Sequence, residues 1–173
     1  DGAMQWNRRA LLRRQIEIAE LSAARIELLR LPESESQASA EAGEFSLPTL
    51  PVGILVEDLS AGQVTLGPDI LGEEAVVSLQ GAMVLSGGAG EARLSIERQD
   101  ARQGRFDLHL AYSNDSRALR TDVTLDEGEG GIFAHLIGLE GVPPVRATIA
   151  GAGTLPDFTA DLSLATDGQP RIT

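Results

Sequence analysis

Residues 91–110 read EARLSIERQDARQGRFDLHL, and this stretch decides the fold. Apolar side chains occupy alternate positions on both sides of the polar run 99–104: Ala92, Leu94 and Ile96 before it, Phe106, Leu108 and Leu110 after it. Such alternation is typical of a β-strand with one apolar and one polar face. Because the connection between the two runs is short, they are predicted to pair as antiparallel neighbours.

The same alternation recurs on both sides of this hairpin. It marks these apolar sets: Val52, Ile54 and Val56; Val64 and Leu66; Ala75, Val77 and Leu79; Met83 and Leu85; Leu119, Val123 and Leu125; Val145, Ala147 and Ile149; Phe158, Ala160, Leu162 and Leu164. Turn-forming residues separate many of the sets, at 86–90, 113–116, 151–153 and 167–168. We therefore predict an all-β fold of roughly ten strands, in which residues 47–173 form an antiparallel meander with one apolar face.

One segment breaks this pattern. Between Gly130 and Gly141, apolar residues recur at helical spacing rather than at alternate positions. This spacing predicts a short helix at about 131–138 that plugs or caps one end of the sheet.

The first part of the chain divides into three segments. Residues 1–4 resemble a cloning remnant, and residues 5–32 carry two competing periodicities. One is a helix face with apolar steps of four and three; the other is strand alternation, which we favour as two strands at about 15–22 and 25–31. Residues 33–46 contain several glutamates and no basic residue, which predicts a flexible acidic linker.

The composition of the chain argues against several classes of function. The formal net charge is −12, so binding along a nucleic-acid phosphate backbone is not expected. The chain has no cysteine, which excludes disulfides and thiolate chemistry, and it has no apolar run of the length that a membrane-spanning helix requires. Aromatic residues make up only 3% of the chain, so its interior must be built from Val, Ile, Leu and Ala.

The sequence carries no recognisable catalytic or metal-binding pattern. His109 falls on the polar face of its strand and is predicted to face solvent, while His135 falls in the short helix and is predicted to pack there. Gly88 and Gly90 lack the third glycine of a dinucleotide-binding loop and are interpreted as a turn. Asn114-Asp115-Ser116 matches a glycosylation acceptor but is equally well a hairpin turn. We expect no enzyme activity, catalytic residue, metal or cofactor.

The apolar face of the predicted strands must be covered by something, because exposed apolar area costs about 25 cal/mol per Å². A closed sandwich would cover it with a second sheet, whereas a sheet curled into a groove could cover it with acyl chains. The scarcity of aromatic residues suits a long, repetitive interior better. The side chains that would line such a groove are Ile54, Val56, Leu94, Ile96, Phe106, Leu108, Leu110, Val123, Leu125, Ile149 and Leu162.

Several stretches resemble TamB-like proteins of the AsmA-like family. The resemblance rests on Trp6-Asn7-Arg8-Arg9-Ala10-Leu11-Leu12, on Ile16-Glu17-Ile18, on the run from Leu21 to Pro32, on Leu50-Pro51-Val52, on the stretch 131–139 before Pro143-Pro144, and on residues 151–160. The order and spacing of these motifs along the chain carry the resemblance.

This resemblance implies a β-taco-like groove in a protein that is anchored in the inner membrane and crosses the periplasm. The groove would conduct phospholipids, by their acyl chains, between the inner and outer membranes and so support outer-membrane biogenesis. TamA, an outer-membrane partner of the family, would be engaged by the full-length protein rather than by this amino-terminal or middle fragment. The alternative is a structural or chaperone-like β-scaffold for outer-membrane protein assembly with TamA.

Overall fold

The computed structural model describes residues 2–7, 10, 14–28, 46–71 and 73–172. They form ten strands and two short helices: β1 (Gly2–Asn7), β2 (Gln15–Leu28), β3 (Gly53–Leu66), α1 (Pro68–Leu71), β4 (Ala75–Ser86), β5 (Ala89–Arg98), β6 (Gly104–Ser113), β7 (Ala118–Glu127), α2 (Ile132–Leu136), β8 (Val145–Thr154), β9 (Asp157–Thr166) and β10 (Gln169–Ile172).

The strands build a single ten-stranded sheet in which spatial order follows chain order. From β3 to β10 every neighbouring pair is antiparallel, which confirms the predicted all-β meander. Hairpin-like connections account for this, because they return the chain directly beside the strand it has left. The exception is the parallel pair β2–β3, whose connection is long, as parallel pairing requires.

The prediction of two strands at 15–22 and 25–31 is wrong, because β2 runs unbroken from Gln15 to Leu28. The apolar residues of β2 step by two with jumps of three, and β3 repeats the same steps in register: Ile16 with Ile54, Ile18 with Val56, Leu21 with Leu59, Ala23 with Ala61, and Ile26 with Val64. Between β3 and β4 the register shifts at those jumps. Each extra residue forms a β-bulge, after which the apolar side chains return to the same face of the sheet. In the sequence, the resulting step of three resembles helical spacing.

The predicted turn at 151–153 is also wrong, since β8 continues to Thr154 and the chain reverses at Leu155 and Pro156. Gly151 lies directly beneath the Phe158 ring of β9, so this glycine gives an aromatic side chain room within the strand pair. Sequence analysis did not predict β1, α1 or β10. Of the predicted linker 33–46, only Ser46 is among the described residues, and the origin of residues 1–4 stays a prediction.

Helix α2 confirms the helix predicted near 131–138, and it covers one end of the apolar face. Ala134 is fully buried in a cluster with Leu125 and Val145. Helix α1 contacts α2, although in a flat sheet the ends of β3 and β7 would be about 19 Å apart, because neighbouring strands are about 4.8 Å apart. The sheet is therefore curled.

Candidate functional site

Cross-strand pairing brings the predicted groove residues to one face of the sheet. Five of them form a continuous line, since Leu94 pairs with Leu108, Leu108 with Val123, Val123 with Ile149, and Ile149 with Leu162. Toward β3 this line continues through Gly81 to Leu59. We call it the middle row: Leu59, Gly81, Leu94, Leu108, Val123, Ile149 and Leu162.

The other predicted groove residues lie in parallel rows on the same face. Ile96, Phe106 and Leu125 form the row nearer to α2. On the other side of the middle row, Val56 and Leu110 are joined through Met83 and Ala92, and Ile54 lies one row further out. Alternation therefore located every member of the set, because Ile54 and Val56 precede the first bulge of β3 and the other members lie on strands without a bulge.

This face is only partly covered. Val56 and Leu125 are each 6% exposed, whereas Leu110 is 38%, Leu162 is 41% and the neighbouring Met83 is 42% exposed. The remaining predicted residues are half-buried. Within the described ranges the sheet has no second sheet packed over this face, so the rows stay accessible from outside.

Two covers form the sides of the groove. At one end of the strands α2 closes over a cavity of about 310 Å³, lined by side chains that include Val77, Leu79, Ile96, Phe106 and Leu136. At the other end residues 46–50, which we call the strap, place Leu47 over a cavity of about 380 Å³ lined by side chains that include Met83, Leu85, Leu110 and Leu119. The middle row lies between the covers and runs across the strands from β3 to β9, and its six strand spacings give a path of about 29 Å.

A wider depression of about 520 Å³ lies mostly on the opposite face of the sheet, over small residues that include Ala111 and Ala152. It is not part of the groove, because Ala111 and Ala152 alternate along their strands with the residues of the apolar face and therefore lie on the polar face.

Two charged residues lie on the apolar face beside α2. Arg98, with 3% of its side chain exposed, donates to Asp100 at 2.8 Å and to the carbonyl oxygen of Gly130 at 3.0 Å. Glu127 is 6% exposed and accepts the backbone N–H of Phe133 at 2.9 Å and that of Ala134 at 3.4 Å. These contacts fasten α2 and the loop before it to the sheet.

Sequence analysis missed these two residues, although a signal was present. Position 98 continues the alternation of Leu94 and Ile96, and position 127 continues that of Val123 and Leu125, so each places a charge on the apolar face. A charged residue at such a position needs buried partners, which could have indicated that another segment packs there.

Asp100 is the carboxylate partner of Arg98, and its pKa lies below the ordinary value. Burial by itself would raise this pKa, but the backbone N–H of Arg102, the Arg98 guanidinium and the backbone N–H of Val76 all donate to the carboxylate and together outweigh burial. The lowered pKa means that the folded state favours the ionised form of Asp100.

We predict that Asp100 makes folding sensitive to acid. A carboxyl group with a lowered folded pKa contributes stability above its unfolded pKa, and this contribution is lost as the pH falls through the folded pKa. Urea unfolding should therefore show a smaller loss of stability for Asp100→Asn than for the parent chain between pH 5 and the strongly acidic range. Equal losses in the two chains would contradict this role.

The polar face carries a ladder of charged side chains. His109 lies on this face, as predicted, but its Nε2 is 2.9 Å from Glu91 and its Nδ1 is 3.8 Å from Asp122. The hydrogen bond from His109 and the charge of Arg93 hold the pKa of Glu91 below its usual value. His135, predicted to pack, is instead exposed on α2. Across the described residues, no group of His, Asp and Glu side chains is arranged to hold a metal ion.

Comparison with known proteins finds no matching family model, curated protein or solved structure. None of the helices in the described part of the chain is long and apolar enough to cross a membrane. The resemblance to TamB-like proteins thus rests on the sequence motifs alone.

Proposed function

We propose that this chain is a segment of a TamB-like, periplasm-spanning protein whose apolar groove conducts phospholipids between the inner and outer membranes. The observation that carries the proposal is the middle row, a continuous apolar line across successive strands that is open to the outside between two covers. In this proposal the full-length protein is anchored in the inner membrane and supports outer-membrane biogenesis, and no catalytic step is assigned to the chain.

The physical argument concerns what covers the exposed rows. Side chains such as Met83, Leu110 and Leu162 place apolar surface next to water, and a large contiguous surface of this kind marks a ligand or interaction site. Acyl chains suit the groove because they are flexible and need no hydrogen-bonding partner. Phospholipid headgroups would stay outside the apolar rows and in contact with water.

A second candidate function is a β-scaffold for outer-membrane protein assembly with TamA. It is favoured by the outermost strands β1 and β10, whose outer edges can accept a client strand by backbone hydrogen bonds. In that case the apolar rows would bind the side chains of a client rather than lipid.

Organic extraction of the purified chain followed by mass spectrometry tests the proposal. We expect co-purified phospholipid, and a matched chain with Leu94→Asp should carry much less. A chain that carries no phospholipid but binds an unfolded outer-membrane β-strand would favour the scaffold instead.

A further inference from the structure

The side chain of Asn114, in the turn between β6 and β7, attaches the strap to the sheet. The backbone N–H of Leu47 donates to Asn114 Oδ1 at 2.8 Å, and Asn114 Nδ2 donates to the carbonyl oxygen of Leu47, also at 2.8 Å. The oxygen and the nitrogen of the Asn114 amide thus both bond to the backbone of Leu47, which is distant in the sequence. Nδ2 is the atom that a glycan would modify in the Asn114-Asp115-Ser116 sequence, and here it serves the strap.

Two glycines make this attachment possible. Gly88 has a φ of +76°, and a Cβ built there would lie 2.6 Å from Asn114 Nδ2. A Cβ built on Gly90 would lie 3.0 Å from Leu47 Cδ1. The first glycine therefore leaves room for the Asn114 amide, and the second leaves room for the Leu47 side chain. This packing explains the two glycines, and no dinucleotide-binding loop is needed to explain them.

We infer that Asn114 is a latch: it positions the strap over the apolar cavity beneath Leu47, and its release opens the side of the groove to an incoming acyl chain. The nature of the incoming chain rests on the proposed function. The closure itself does not, because it depends only on contacts within the protein.

The two covers differ in what holds them. Helix α2 is fastened by the buried charges of Arg98 and Glu127, whereas the strap contacts described above consist of two neutral hydrogen bonds and one inserted leucine side chain. Most of the strap is exposed, with only Leu47 and Leu50 half-buried. Losing two neutral hydrogen bonds shifts an opening equilibrium by about tenfold to a hundredfold, so we assign lateral opening to the strap and a fixed wall to α2.

Cysteine labelling measures the opening directly, because the chain has no cysteine of its own. A Leu85→Cys reporter lies under the strap, and a Val123→Cys reporter lies in the middle row away from the strap cavity. Adding Asn114→Ala should raise the maleimide reaction rate of the first reporter about tenfold or more and leave the second unchanged. Asp115→Ala, in the same turn but exposed, should change neither rate.

The latch is overturned if Asn114→Ala leaves the Leu85→Cys rate at the parent value, or if both reporters speed up together, which indicates general loosening. Should Asn114→Ala fail to fold, Gly90→Val displaces Leu47 without altering Asn114 and must produce the same selective rise at a Leu119→Cys reporter, which lines the same cavity but does not pair with Gly90. Labelling requires no lipid. A selective rise in a chain that extracts no phospholipid would therefore retain the latch and reject the proposed function.

Discussion

Replacing Leu108 with Asp is expected to empty the groove of lipid while leaving the sheet folded. Leu108 lies in the middle row between Leu94 and Val123 and is only half-buried, so water can reach a carboxylate there. Next to a bound acyl chain the same charge would cost several kcal/mol, because it would be unpaired and shielded from water. Bound phospholipid should therefore fall by about a hundredfold or more. Mass spectrometry of extracted lipid and thermal unfolding measure the two effects separately.

Two control variants keep this result specific. Leu108→Met keeps the row apolar and should retain lipid, and Thr148→Asp places a charge on the exposed polar face and should leave lipid loading unchanged. An open groove predicts that Leu108→Asp costs only about 1–2 kcal/mol of stability. If this variant were unfolded at 25 °C, position 108 would have to lie in a closed core, and the groove would be contradicted.

Removing the Glu127 carboxylate should produce the largest loss of stability at the α2 cover. In Glu127→Ala the backbone N–H groups of Phe133 and Ala134 lose their acceptor. Hydrogen bonds to a charged group contribute about 1.5–3 kcal/mol, so we expect destabilisation of about 2–3 kcal/mol, release of α2 and exposure of Ala134. Urea unfolding gives the free energy, and amide hydrogen exchange at Phe133 and Ala134 reports the release.

Glu129→Ala is the matched control, because Glu129 is exposed in the same loop. It should change the free energy of unfolding by less than about 0.5 kcal/mol. If Glu127→Ala behaved like this control, or if the two amides kept their protection, Glu127 would not be what fastens α2.

Alternation predicted most of the architecture because each strand has one apolar and one polar face. It identified the class of fold, the antiparallel order from β3 onward and the shared face of all the groove residues. It failed where the pattern is changed by a partner strand. In β2 and β3 a bulge adds one residue to the spacing, and at Gly151 a glycine makes room for Phe158 rather than for a turn.

The alternation pattern could not predict contacts between residues that are far apart in the sequence. The attachment of Leu47 to Asn114 spans 67 positions and leaves no periodic trace. Arg98 and Glu127 did leave a trace, as charges at apolar positions, but only the curled sheet and α2 provide their partners. The covers of the groove therefore depend on tertiary packing, whereas its floor follows from local alternation.

The most direct measurement is photo-crosslinking to phospholipid from single positions on both faces of the sheet. A photoreactive residue at Leu94 or Leu108 should crosslink to phospholipid, while one at Ser95 or Thr124, on the polar face, should not. The account predicts this contrast between adjacent positions such as Leu94 and Ser95. If Leu94 and Leu108 never crosslink to lipid and Leu108→Asp unfolds the chain, the groove is contradicted and the scaffold takes its place.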